Sequence, residues 1–245
     1  MTTLGVQRTL GLAAALLVLV APAQAQFTTH TVADGLRFGY QVAIADLNGD
    51  DRPDLIGLGA QMTELVWFEN PGWERHVIAS DVGGMINLDT ADLDADGIPE
   101  IALAYGYGMN PARSAGNIAI LRHSGDPTEP WTLTEIDAVP MSHRVRFGSI
   151  DDSGLPVLIN APMLNANASG MADPDRLPTP LIYYRPGEWQ RATITDQNEG
   201  VVHGLLPWDG DGDGRAEVLT AGRLGIHLHR YTADGEWSRE ALSTG

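Results

Sequence analysis

Residues 46–54 read Asp-Leu-Asn-Gly-Asp-Asp-Arg-Pro-Asp, and the same nine-residue pattern returns twice without gaps. The second copy is Asp-Leu-Asp-Ala-Asp-Gly-Ile-Pro-Glu at residues 92–100, and the third is Asp-Gly-Asp-Gly-Asp-Gly-Arg-Ala-Glu at residues 209–217. A degenerate copy, residues 149–157, keeps the turn but has lost most of the acids. Self-similarity at such spacing is typical of an array built from one repeated supersecondary unit.

Each acidic loop is followed and preceded by β-type sequence. Residues 42–45 and 55–58 flank the first loop as short apolar runs, which predicts a strand on each side. A third strand is predicted at residues 65–68, 118–121, 181–184 and 226–229, and a fourth, led by Trp, at residues 73–78, 131–136, 189–194 and 237–242. The unit is therefore four strands in about 46 to 60 residues, which is the size of a propeller blade.

The pattern predicts an all-β chain, a β-propeller-like array of four four-stranded blades. Residues 27–32 also resemble the Trp-led strand, so that strand is predicted five times and the others four times. This count leaves three alternatives: the array is part of a larger propeller, it stays open, or it closes by association with another chain.

The acidic loops have the spacing of a calcium site. Side chains at positions 1, 3 and 5 of a tight loop converge, a peptide carbonyl can join at position 7, and an acid at position 9 can chelate with both oxygens. Hard oxygen donors in that number favour Ca²⁺ over Zn²⁺ or Mg²⁺. The predicted ligands are Asp46, Asn48, Asp50 and Asp54; Asp92, Asp94, Asp96 and Glu100; and Asp209, Asp211, Asp213 and Glu217. Residues 149–157 offer too little charge for an ion.

These loops and blades resemble the FG-GAP or VCBS repeat proteins, a family of calcium-loop β-propellers. The stretch Trp-Phe-Glu-Asn-Pro-Gly-Trp at residues 67–73, followed by Arg-His-Val-Ile at 75–78, is typical of bacterial members. The resemblance implies a propeller fold and a calcium role for the twelve positions named above.

A second group of polar residues falls at the opposite end of the predicted strands. The residue six before each loop start opens the first strand of its blade; these residues are Tyr40, Ile86, His143 and His203. Two long connections, residues 105–117 and 160–180, are expected on the same face, where binding residues of rigid scaffolds often lie. The predicted ligand-binding residues are Tyr40, Tyr105, Tyr107, Arg113, His143 and His203. Tyr183 and Tyr184 are further aromatics expected to be exposed for sugar stacking.

The pair His143-Arg144, the 160–180 connection and Val202-His203-Gly204 resemble the propeller portion of aldos-2-ulose dehydratase-like proteins. That resemblance implies activity on keto-sugars with metal-binding histidines, and it makes His143, Arg144 and His203 the candidate catalytic residues. The alternative is that both histidines are half-buried polar caps of strands. Two functions thus stay open: a non-catalytic module that binds carbohydrate or protein, and a sugar lyase or dehydratase.

The N-terminal pattern predicts where the protein is located, and the composition disfavours some partners. Residues 1–25 contain Arg8, an apolar run and Ala-Gln-Ala at 23–25, which predicts a signal peptide and a secreted or periplasmic domain at residues 26–245. The apolar run is too short for a membrane span. A formal charge of −17, with no Lys, disfavours nucleic acid as a partner. The absence of Cys excludes disulfides and thiol chemistry.

Overall fold

A computed structural model describes residues 27–170, 177–197 and 200–244 of the chain. Residues Val32–Gly245 form one compact unit, and it contains every strand of the described residues. The predicted signal peptide, residues 1–25, lies outside the described residues.

Sixteen strands of the described residues form four separate four-stranded sheets. The first blade contains β1 (Gly39–Ala45), β2 (Asp54–Gly59), β3 (Glu64–Glu69) and β4 (Glu74–Ser80). The second contains β5 (Asn87–Ala91), β6 (Glu100–Tyr105), β7 (Asn117–Arg122) and β8 (Thr132–Ala138). The third contains β9 (Ser142–Gly148), β10 (Val157–Pro162), β11 (Leu181–Tyr184) and β12 (Arg191–Thr195). The fourth contains β13 (Gly204–Trp208), β14 (Glu217–Gly222), β15 (Gly225–Tyr231) and β16 (Trp237–Thr244).

Every sheet is an antiparallel meander in which sequential strands are neighbours, as in β1-β2-β3-β4. The first strands of successive blades lie side by side, β1 next to β5, β5 next to β9, and β9 next to β13. The prediction of an all-β array of four four-stranded blades is therefore confirmed. A short 3₁₀ turn, Pro111–Arg113, interrupts the connection between β6 and β7.

The apolar core of the array lies between blades. One cluster around Trp67 and Leu103 joins the first and second blades, and a second around Ile118 and Tyr184 joins the second and third. A third cluster, around Ile159 and Val218, joins the third and fourth. Because a central blade is covered on both faces, its strands are continuous apolar runs rather than alternating ones.

The two end blades leave apolar side chains of their first strands uncovered. Val42 and Ile44 on β1 are 65% and 66% exposed, and Leu206 and Trp208 on β13 are 55% and 52% exposed. These strands have no further blade against them among the described residues. The association that the blade count suggested stays a prediction.

The fifth copy of the Trp-led strand, predicted at residues 27–32, is wrong. These residues form no strand, and Phe27 is 95% exposed. The fourth strand of a blade is held by hydrogen bonds to a third strand, and residues 27–32 pair with no strand of the described part of the chain. Across the described ranges, no helix has the length and apolar character needed to cross a membrane.

Candidate functional site

The three acidic loops share one hydrogen-bonding pattern. In the first, Asp46 accepts the backbone N–H groups of Gly49 and Asp51, both at 2.8 Å. The same two bonds recur in the other copies, to Asp92 from Ala95 and Gly97 and to Asp209 from Gly212 and Gly214. Position 6 has a left-handed backbone in all three loops, with φ of 62° at Asp51, 93° at Gly97 and 90° at Gly214. Asp51 therefore adopts a conformation that the other two copies give to Gly.

The acid at position 9 accepts a hydrogen bond from the backbone at the start of its own loop. Asp54, Glu100 and Glu217 each accept the backbone N–H of the residue at position 2, at 2.9, 2.7 and 2.9 Å. Asp54 and Glu100 are almost completely buried, and burial raises the pKa of both carboxyl groups. A buried acid with a raised pKa is stabilised in its charged form by a cation.

The donor set of the loops fits a calcium ion. Carboxylate oxygens of Asp92, Asp94 and Glu100 lie within 4.8 Å of one another, as do those of Asp209, Asp211 and Asp213. This spacing suits oxygens that each lie about 2.4 Å from a shared ion. Six of the twelve predicted positions thus fall into two oxygen-only groups. The first loop forms no such group among the described residues, and its Asn48 offers an amide oxygen instead of a carboxylate.

Residues 149–157 do not fit a metal. Asp151 forms an ion pair with Arg185 at 2.7 Å, and Asp152 forms one with Arg215 of the next blade at 2.6 Å. Two guanidinium groups therefore supply the positive charge here, and position 9 is the apolar Val157.

A cavity of about 360 Å³ opens at the other end of the first strands. It is lined by Phe38, Tyr40, Ala60, Ile86, Tyr107, Met109, His143, Met163 and His203. Its volume is in the range of small-molecule sites. All four residues predicted to open the first strands, Tyr40, Ile86, His143 and His203, meet in this cavity.

A recurring backbone turn places these four residues. Two positions before each, the chain takes a left-handed conformation, with φ of 54° at Phe38, 68° at Gly84, 67° at Met141 and 44° at Val201. Three of the four are not Gly, so the turn carries backbone strain at the edge of the cavity, a common feature of functional sites. Both long connections also contribute, through Tyr107 and Met109 from one and Met163 from the other.

His143 is the most buried polar group in the cavity. It is 2% exposed, its Nε2 lies 3.3 Å from the Tyr40 hydroxyl, and its ring contacts those of Tyr107 and His203. Burial lowers the pKa of His143 to about 3, and the charge of Arg144 acts in the same direction. Burial and Arg144 also lower the pKa of His203. Both imidazoles are therefore neutral at pH 7, and each offers one donor and one acceptor.

Arg144 supplies positive charge beside the cavity. Its Nε donates to the His203 carbonyl at 3.1 Å, and its guanidinium lies over the Tyr40 ring, 5.7 Å from the centroid. This packing fixes the guanidinium next to two cavity-lining residues, where it can contact an electron-rich ligand oxygen.

Four predicted aromatic or basic residues lie elsewhere. Tyr105 and Arg113 do not line this cavity, and Tyr105 donates its hydroxyl to Glu135. The expectation that Tyr183 and Tyr184 are exposed is wrong, since they are 8% and 0% exposed. They lie on opposite faces of β11, and both faces are covered by neighbouring blades. The sequence did not single out Phe38, Met109 or Met163, which come from three separate connections.

Comparison with family models gives two matches. The FG-GAP-like repeat model matches residues 46–103, and the model of the aldos-2-ulose dehydratase beta-propeller domain matches residues 115–245, more than half of the chain. The chain belongs to the aldos-2-ulose dehydratase propeller family. Both resemblances inferred from the sequence are thereby confirmed. No curated protein matches the chain.

Solved structures show the same fold. A luciferin-regenerating enzyme is 14% identical, with a TM-score of 0.52 over 84% of this chain and 61% of its own. A lectin from Agrocybe aegerita that recognises non-reducing terminal N-acetylglucosamine is 14% identical, with a TM-score of 0.54 over 86% of this chain and 54% of its own. This member of the aldos-2-ulose dehydratase propeller family thus spans less than two thirds of either neighbour, and at such identity the likeness shows the fold alone.

Proposed function

We propose that the protein is an exported calcium-binding propeller that binds a carbohydrate in the cavity at the start of its first strands. The observation that carries the proposal is the convergence of aromatic rings, two neutral imidazoles and a guanidinium on one cavity. The rings of Tyr40 and Tyr107 can stack on the C–H face of a sugar, while His143 and His203 exchange hydrogen bonds with its hydroxyls.

Three further considerations support this proposal. The matched family takes its name from an enzyme of keto-sugars, and the Agrocybe aegerita lectin binds a sugar on the same fold. The acidic loops lie at the opposite ends of the strands, so we assign calcium to bracing the blades rather than to contacting the ligand. Export rests on the signal-peptide pattern of residues 1–25.

A glycan array followed by titration calorimetry tests the ligand class. Tyr107→Ala and Arg144→Ala should each weaken binding of the selected glycan at least tenfold, because they remove a stacking ring and a charged donor. Arg113→Ala and Tyr105→Phe are matched controls outside the cavity and should bind like the parent. Equal affinity in all four variants, or binding of protein ligands alone, would contradict the proposal.

A sugar lyase or dehydratase is the second candidate, favoured by the adjacency of His143 and His203 and by the family match. Elimination of water requires a base to take a proton from carbon and an acid to protonate the departing hydroxyl. His143, with its pKa of about 3, is deprotonated at pH 7 and cannot be that acid. His203 would be the base, and the hydroxyl of Tyr40 or Tyr107 would donate the proton.

The two candidates are separated by following keto-sugars with NMR in the presence of the protein. Unsaturated product that disappears in His203→Ala and Tyr107→Phe would favour the enzyme. Glycan binding without any product would favour the binding module. Elemental analysis of untreated protein adds a second readout, because neutral imidazoles are also ligands of transition metals.

A further inference from the structure

Position 3 of each nine-residue loop lies near a residue at the end of the third strand of the same blade, either within the strand or directly after it. Asn48 Nδ2 donates to Glu69 at 3.3 Å, Asp94 lies 3.9 Å from Arg122, and Asp151 pairs with Arg185 at 2.7 Å. In the fourth blade the equivalent residue is Arg230, which pairs with Glu240 at 2.9 Å, lies 3.8 Å from Glu217 and lines the same small cavity as Asp211, the residue at position 3. Three blades therefore place a guanidinium at this point, and the first places a carboxylate.

In the third blade, whose loop lacks the acids of a calcium site, the equivalent arginine is Arg185. Its loop has lost the acids at positions 1, 5 and 9, and Arg185 closes directly onto the remaining carboxylate of Asp151. The guanidinium there takes the place that a cation holds in an acidic loop.

In the second and fourth blades the equivalent arginines, Arg122 and Arg230, lie next to complete acidic loops. Arg122 Nε lies 3.6 Å from Glu100, and Arg230 Nε lies 3.8 Å from Glu217. Glu100 and Glu217 are the acids at position 9, which would chelate the ion with both oxygens. A fixed positive charge at these carboxylates repels a divalent cation and competes with it for the same oxygens.

In the first blade the equivalent residue is Glu69, which carries a negative charge where the other blades have an arginine. Glu69 holds the Asn48 amide through one oxygen and contacts His76 Nε2 through the other at 3.0 Å, so the carboxylate is fixed beside the loop.

Arg52 does pair with Asp50, the acid at position 5, at 2.6 Å. Asp54, the acid at position 9, accepts only the backbone N–H groups of Leu47 and Asn70, both at 2.9 Å, and no guanidinium pairs with it among the described residues. The first loop therefore differs from the other two at position 9, where Glu100 and Glu217 each lie near an arginine.

We propose that Glu69, Arg122 and Arg230 grade the calcium affinity of the three loops. The first loop fills at the lowest calcium concentration, and the other two fill at higher concentrations because an arginine must first leave the position-9 acid, which chelates the ion with both oxygens. This inference rests on the proposed calcium sites. It states that residues outside the nine-residue loops control the order in which the loops fill with calcium.

Calcium titration of the full chain, by chelator competition and calorimetry, tests the grading. The parent should show one tight site and two weaker ones. Arg122→Gln and Arg230→Gln should each tighten one weak site about tenfold, and Glu69→Arg should weaken the tight site by a similar factor, as expected for removing or reversing a charge near a divalent ion. Arg75→Gln is the matched control, because it removes the same charge from an exposed pair with Glu64. It should leave all three affinities unchanged.

Knocking out one loop at a time assigns the sites. Asp46→Ala should remove the tight site, whereas Asp92→Ala and Asp209→Ala should each remove a weak one. If the parent binds no calcium at millimolar concentration, the proposed calcium sites themselves fail. If it binds three ions with equal affinity, and Arg122→Gln and Arg230→Gln change nothing, the calcium sites stand and the grading is wrong. Circular dichroism confirms that each variant is folded before it is titrated.

Discussion

The imidazole of His143 lies edge-on to that of His203, with 5.1 Å between the ring centroids and 75° between their planes. The two rings come from neighbouring blades and meet beside Arg144, whose positive charge disfavours protonation of either. The cavity therefore keeps two uncharged nitrogen heterocycles against aromatic and thioether side chains. Such a surface suits an uncharged polar ligand, which can accept and donate hydrogen bonds without bringing a counter-charge.

The buried, neutral state of His143 makes the protein less stable in mild acid. The unfolded histidine binds a proton near pH 6.5, whereas the folded one stays neutral down to a pKa of about 3. The stability that His143 contributes is thus complete above pH 6.5 and is lost progressively as the pH falls toward 3. At pH 5 the loss is about 2 kcal/mol, and we expect His143→Gln to lose that much less than the parent between pH 7.5 and pH 5. Urea unfolding at the two pH values measures the difference.

Acidic residues titrate equally in the parent and in His143→Gln, so their contributions to the change in unfolding free energy cancel in that comparison. Arg144→Gln provides a second check, because it removes a charge that opposes protonation of both histidines and should reduce the acid sensitivity. Identical loss of stability in the parent and in His143→Gln would show that this histidine is protonated in the folded protein.

Much of the fold could be predicted because its determinants are local. The spacing of Asp46, Asn48, Asp50 and Asp54 lies within nine residues, and the strands on either side follow at fixed distances, so one repeat identifies the next. The same reasoning located Tyr40, His143 and His203, since they occupy one register position in successive blades.

The parts that could not be predicted depend on contacts between blades or between distant connections. Tyr183 and Tyr184 are neighbours in a strand, and the sequence predicted that they would be exposed. Blades on both sides of β11 cover them instead. Met109 and Met163 come together only because two long connections fold over the same end of the array. The link between Asn48 and Glu69 spans 21 residues and follows from the register of β2 and β3, which the sequence alone does not give.

Removing calcium should destabilise the protein through the complete loops and not through the degenerate one. We expect calcium to raise the melting temperature of the parent, since one site at 100 times its dissociation constant adds about 2.7 kcal/mol. Glu217→Gln should lose part of this rise, because it removes the position-9 charge of the third loop. Asp151→Asn changes a carboxylate to an amide in the degenerate loop and should keep the full rise. Equal calcium responses of the two variants would contradict the assignment of ligands.

Gly148 sets how closely the third and fourth blades approach. A Cβ at this position would lie 2.6 Å from Cβ of Pro207, which belongs to β13 of the next blade. We expect Gly148→Ala to cost about 1–3 kcal/mol in unfolding free energy, because the two first strands must separate. Gly72→Ala is the control, since a Cβ there meets nothing within 4 Å and should change stability far less. Chemical denaturation of both variants measures the effect, and equal costs would show that the blades adjust without strain.

Asn87 joins the first strands of three blades, so its loss should be among the costliest polar substitutions in the array. Its Oδ1 accepts the backbone N–H of Val145 at 2.9 Å and the guanidinium of Arg146 at 2.7 Å, while its Nδ2 donates to Gln41 at 2.8 Å. Asn87 is 3% exposed, so Asn87→Ala leaves the Val145 N–H without this acceptor in a buried setting. We expect a loss of about 2–4 kcal/mol.

The matched control for Asn87→Ala is Asn117→Ala, whose amide bonds to the carboxylate of Glu135 at an exposed site and should contribute less than about 1 kcal/mol. Urea unfolding of the two variants gives the comparison, and hydrogen exchange of the Val145 amide gives a local readout. Faster exchange at Val145 in Asn87→Ala alone would place the loss at the junction of β1, β5 and β9. A similar cost for both variants, with Val145 exchange unchanged, would mean that packing between the first strands, and not this polar network, holds the three blades in register.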